Sequence, residues 1–142
     1  MTRMRSEKGV ALIETAITLP LILLICVGIF EFGRAYQTWQ ILTNASREGA
    51  RLAVIEGTTD AQIRDRVRAY LTSGGLKTAV PDGGIPIQRA VVITGTATAS
   101  RVRINYPFAF MMLNPIARLV AKTDSKTGAP ITMSAATVMR NE

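Results

Sequence analysis

The chain has 142 residues, 48% of them apolar, and a formal net charge of +7. That length suffices for one membrane helix and one small domain. There is no histidine and only one cysteine, Cys26. The commonest metal ligand and general base is therefore missing, and no intramolecular disulfide can form. A basic balance is compatible with nucleic acid, with anionic lipid headgroups or with acidic partners.

Residues 1–9 read as a short leader with Arg3, Arg5 and Lys8 against one acid, Glu7. Residues 10–30 are apolar except for Glu14, Thr15, Thr18, Pro20 and Gly28. A membrane span needs about 20 mostly apolar residues, which this run supplies. A secretory signal has a shorter apolar region followed by an A-x-A-like site. Here Glu31-Phe32-Gly33-Arg34 follows, so the run reads as a retained transmembrane anchor. Basic residues beside a first membrane helix tend to stay cytoplasmic. The leader is denser in charge than the flank carrying Arg34, so the N-terminus is expected inside and residues 31–142 outside.

The helix is expected to continue to about residue 56 and to end at Gly57 as a C-cap. Phe32, Ala35, Tyr36, Trp39, Leu42, Ala45, Ser46, Gly49, Ala50 and Ala53 recur at spacings of three and four. That pattern predicts an apolar and small-residue stripe. At 1.5 Å per residue the whole helix would span about 70 Å, more than twice a bilayer core. Pro20 inside the span predicts a tolerated kink or a local weak point.

Asp60 reads as the N-cap of a second helix with Ile63, Val67, Tyr70 and Leu71 on its apolar face, ending at Ser73-Gly74-Gly75. Arg64, Asp65, Arg66 and Arg68 are expected to face water. Pro81-Asp82-Gly83-Gly84 signals a turn. Strands are expected at 90–94, 101–106 and 131–140, with a turn at 95–97, Pro107 ending the second strand and a short helix at about 115–121. In the second strand Val102, Ile104 and Tyr106 alternate with Arg101, Arg103 and Asn105, the signature of a half-buried strand. The expected class is α+β: a long N-terminal membrane-anchored helix packed on a small antiparallel sheet of about three strands, with one or two short helices.

One acid stands out. A carboxylate at the bilayer centre costs roughly 2.5–3.5 kcal/mol or more, so Glu14 marks a functional site unless it snorkels to the interface. Val10 lies four residues before it and Gly9 five, at the end of the basic leader. Arg47, Glu48 and Arg51 form a second group, readable either as a solvated helix face or as partner contacts.

Two stretches carry a resemblance to a known family. The first is Lys8-Gly9-Val10-Ala11-Leu12-Ile13-Glu14-Thr15-Ala16. The second is Phe30-Glu31-Phe32-Gly33-Arg34-Ala35 with Leu42-Thr43-Asn44-Ala45-Ser46-Arg47-Glu48-Gly49-Ala50-Arg51. Together with Val138-Met139-Arg140 they resemble the TadE-like pseudopilins of bacterial tight-adherence (Flp-type) pilus systems. The resemblance covers about residues 8–56 well and the remainder loosely. It implies cleavage between Gly9 and Val10 by a prepilin peptidase. A residue without a side chain lets a protease approach the backbone closely. It also implies that Glu14 engages the new amino terminus of Val10, or that of a neighbouring subunit, during assembly. Thr15 departs from the aromatic residue common after this glutamate in major Flp pilins. That departure, and the length of the chain, point to a minor pseudopilin.

The expected partners are therefore the prepilin peptidase, other pseudopilins, pilus assembly platform proteins and the membrane. No cofactor, metal or small-molecule substrate is expected, and no enzymatic activity, since the acids beyond the span are scattered singly. The expected location is the bacterial inner membrane, single-pass, with the C-terminal domain periplasmic or extracellular and the protein either retained in the membrane or entering the pilus. The alternative is a membrane-anchored minor pilin that binds nucleic acid or a surface through its arginines, with Tyr106 as the stacking aromatic.

Overall fold

A computed structural model describes the backbone of residues 3–94, 97–115 and 129–141, and side chains from Gly9 onward within those ranges except that of Thr94. The element order is α1 (Arg3–Ala53), α2 (Asp60–Ser73), a 3-10 turn (Asp82–Gly84), β1 (Ile87–Thr94), β2 (Ala97–Phe108) and β3 (Ile131–Arg140). The three strands form one antiparallel sheet in the order β1-β2-β3. The α+β class expected from the sequence is the observed one. Contacts divide the chain into two compact units, Met1–Arg34 with Phe110–Gly128, and Ala35–Ala109 with Ala129–Glu142.

The second unit holds the sheet and its core. Leu42, Ala45, Ala50 and Ala53 of α1 are buried, with Ile63, Val67 and Leu71 of α2 and Val102, Ile104, Tyr106 and Phe108 of β2. The alternation read from β2 thus places its apolar side inward, and Arg103 is exposed. Each fully buried aliphatic side chain contributes about 1.5–3 kcal/mol, enough to make this helix–sheet contact the main source of stability. Gly49 sits where α1, α2 and β2 converge. A Cβ there would lie 2.7 Å from Val67 Cγ2 and 3.2 Å from Val102 Cγ1. At the sheet's other edge, the Ser46 and Thr137 hydroxyls are 2.7 Å apart and join α1 to β3.

Several boundaries differ from expectation for identifiable reasons. α1 stops at Ala53, not near residue 56. Its terminal carbonyl, on Ala53, accepts from the Arg89 guanidinium and the Ser100 hydroxyl, which satisfies a group the helix itself leaves unpaired. Gly57 takes a positive φ of 79° in the turn that follows, so it reverses the chain rather than capping the helix. In α2 the N-cap is Thr59, not Asp60. Its hydroxyl accepts from the Gln62 N–H, and the Gln62 side chain accepts from the Thr59 N–H. This is a capping box. Asp60, one residue inside, receives Arg89 at 2.9 Å. Tyr70 lies at the rim of the α2 face and is exposed.

The stripe on α1 is buried only from Leu42 onward; Phe32, Tyr36 and Trp39 are exposed. Tyr36 and Trp39 contact each other in a tilted ring pair 6.1 Å apart. β1 begins at Ile87, three residues before the expected start, because the strand bulges between Gln88 and Val91, where Ala90 has φ 54°. The bulge breaks the alternation that marks a strand in sequence. β2 runs past Pro107 to Phe108. Beyond Arg103, whose N–H donates to the Pro86 carbonyl, its ladder partner is β3 alone, so the missing proline N–H faces a side without a ladder partner. β2 also starts at Ala97, inside the expected turn. The expected helix at 115–121 falls mostly outside the described residues; only 113–115 are seen, and they are helical.

Arg68 does not simply face water. It donates to the Val80 carbonyl, to Asp65 and to Asp82. The Arg68 hydrogen bond and charge hold the Asp82 carboxyl below its ordinary value. The depressed value means this contribution is present above the usual carboxylate range and is lost as pH falls through the lowered value. Asp82 is exposed, so solvent screening keeps the effect small.

Candidate processing and assembly segment

Among the described residues one helix is long and apolar enough to cross a membrane, Gly9–Ala53, with a mean hydropathy of 2.5 over its most apolar window and none of that window buried within the chain. Side chains from Val10 to Ile25 are all exposed. At 1.5 Å per residue, residues 10–30 rise about 31 Å, close to the hydrocarbon thickness of a bilayer. The two threonine hydroxyls in the run are satisfied locally. Thr15 donates to the Ala11 carbonyl and Thr18 to the Glu14 carbonyl, each at 2.8 Å. Such back-bonding leaves no hydroxyl unpaired in an apolar medium.

Gly9 and Val10 lie within the first turns of this helix. A Cβ added at Gly9 meets nothing within 4 Å, so no packing within the chain demands glycine there. Glycine costs about 1 kcal/mol in a helix relative to alanine. It therefore weakens the helix where a protease would need extended backbone. Arg3, Arg5 and Lys8 lie on the helical backbone of α1, but their side chains fall outside the described residues. Glu14 is exposed on α1 one turn beyond Val10, at i+4, a spacing that places the two positions on the same face.

A second acid, Glu31, went unremarked as a candidate in the sequence. It has no exposed surface. One carboxylate oxygen accepts from Arg34 at 3.0 Å, and the other accepts from the Met112 backbone N–H. Its position directly after the apolar run was the available signal. Its partner, 81 residues on, was not legible.

Arg47, Glu48 and Arg51 separate in role. Glu48 accepts two bonds from Arg66, at 2.8 and 3.1 Å, and lies 3.5 Å from Arg51. Exposed pairs of this kind contribute at most about 1 kcal/mol each. Arg47 is exposed. Glu48 and Arg51 line a surface cleft of about 620 Å³ with Leu52, Val54, Ile55, Met139 and Arg140. The fold thus brings together Arg51 and the C-terminal Met139-Arg140, two stretches far apart in sequence.

The model of the family described as TadE-like protein matches residues 9–51. This segment is TadE-like. The match begins at Gly9, ends at Arg51 and takes in Glu14, Glu31, Arg47 and Glu48. It links the chain to components of tight-adherence pilus systems, and the apolar helix fits a single-pass membrane anchor in such a component. Neither a curated protein nor a solved structure matches the chain.

Proposed function

We propose that this TadE-like chain is a minor pseudopilin, anchored in the inner membrane with its N-terminus in the cytoplasm and cut after Gly9. In this role it helps to initiate or assemble the pilus. The observation that carries the reading is a TadE-like segment in which Gly9 and Glu14 head an apolar helix of membrane-spanning length, with the side chains from Val10 to Cys26 exposed. Cleavage gives Val10 a free amine. The Glu14 carboxylate, one turn away, can neutralise that amine or one on an adjacent subunit in a low-dielectric setting. The folded α+β domain then supplies the partner-facing surface, with Glu48 and Arg51 lining the cleft and Arg47 exposed on the same helix. The chain acts structurally, with the prepilin peptidase, other pseudopilins and platform proteins as partners.

The nucleic-acid reading loses its stacking aromatic. Tyr106, expected as the stacking aromatic, is only 6% exposed and belongs to the core, as does Phe108 in the same strand. It cannot serve as a base-stacking platform.

Reporter fusions at residue 142 test the topology. A periplasmic enzyme such as alkaline phosphatase should be active there, and a cytoplasm-dependent reporter should be dark. In the same strain, deletion of the gene should abolish or sharply reduce surface fibres. An active cytoplasmic reporter would refute the orientation, and normal fibres in the deletion strain would refute the assembly role.

A further inference from the structure

We propose that residues 110–112 form a second membrane contact, an apolar loop that Glu31 holds against the lipid interface beside the end of the span. The proposal rests on reading α1 as the anchor. Residues 10–30 match the thickness of the hydrocarbon core, so Glu31 stands at its boundary. The Met112 N–H donates to the Glu31 carboxylate. The loop backbone is therefore fixed at the depth of the boundary, by a bond that does not depend on the loop's side chains.

Those side chains suit lipid rather than water. Met111 is 62% exposed and Met112 43%, and on the helix next to Glu31 Phe30 and Phe32 are 50% and 68% exposed. The carboxylate that could repel an anionic surface is fully buried and paired with Arg34. What the surface presents is thus flexible thioethers and aromatic rings, continuous with the exposed apolar face of the span. Continuity with the span favours lipid over a protein partner. Apolar groups of this type bury about 5–10 Å into the headgroup–acyl boundary. A charge-neutral clamp with an apolar loop would limit tilting of the helix relative to the bilayer.

The test uses the full chain in vesicles of phosphatidylethanolamine and phosphatidylglycerol. Trp39→Phe removes the native tryptophan, and Met111→Trp or Leu23→Trp adds one reporter each. At interfacial depth, bromine on the upper acyl chain should remove roughly half of the Met111→Trp emission, while aqueous iodide should quench it little. Adding Glu31→Ala should reverse this pattern, whereas Glu31→Gln keeps an acceptor for the Met112 N–H and should preserve it. Iodide quenching without bromolipid quenching in Met111→Trp, alongside strong bromolipid quenching in Leu23→Trp, overturns the loop contact alone. Unchanged bromolipid quenching in the Glu31→Ala variant overturns the clamp. Failure of bromolipid to quench Leu23→Trp overturns the anchor reading and this proposal with it.

Discussion

Gly49→Leu should abolish the cooperative unfolding transition of the α+β domain. Even the first added carbon meets Val67 Cγ2 at 2.7 Å and Val102 Cγ1 at 3.2 Å, with Ile63 Cγ2 at 3.7 Å. Those neighbours come from α2 and β2, so relief requires α1 to move away from both. Overpacking of this kind typically costs about 1–3 kcal/mol, and a leucine adds three further carbons in the same space. The gain in helix propensity returns less than about 1 kcal/mol. A domain of this size has little stability to spare. Thermal unfolding of the full chain in detergent, followed by circular dichroism, measures the effect. Gly33→Leu is the control, because a Cβ there meets nothing within 4 Å. A Gly49→Leu midpoint equal to that of the wild type would show that α1 does not pack this closely on α2 and β2.

Glu14→Ala should have the opposite profile: a folded, inserted, processed protein that fails to assemble. Glu14 is exposed on α1, and among the described residues no ion pair involves it. Its removal therefore leaves the α+β core untouched. Loss of a carboxylate from the span makes insertion easier, by at most a few kcal/mol. The scissile bond precedes Val10, so cleavage should survive. Co-purification with a partner pseudopilin should drop to background, and surface fibres should disappear with it. Wild-type levels of both would reduce Glu14 to an interfacial acid that snorkels.

The fold class was legible because its signals are periodic. The run at 10–30, the 3.6-residue spacing of Leu42, Ala45, Ala50 and Ala53, and the clean alternation of Val102, Ile104 and Tyr106 each report one face of one element. Errors arose where tertiary partners decide. Phe32, Tyr36 and Trp39 continue the α1 stripe in sequence, yet the sheet-facing core begins only at Leu42. Nothing in the local sequence marks Arg89, yet it bonds Asp60, Thr58 and the end of α1. The Ala90 bulge concealed the first half of β1. Gly9 and Glu14 stood out because each violates its surroundings chemically. Glu31 violates them equally, but its role depends on Met112.

The most direct test of the account is the intact mass of the membrane-extracted protein after co-expression with its prepilin peptidase. The wild type should lose residues 1–9 and begin at Val10. Gly9→Leu should retain the leader, because a branched side chain obstructs close approach to the scissile backbone. A wild-type chain that keeps its leader in the presence of active peptidase would contradict the account at its root.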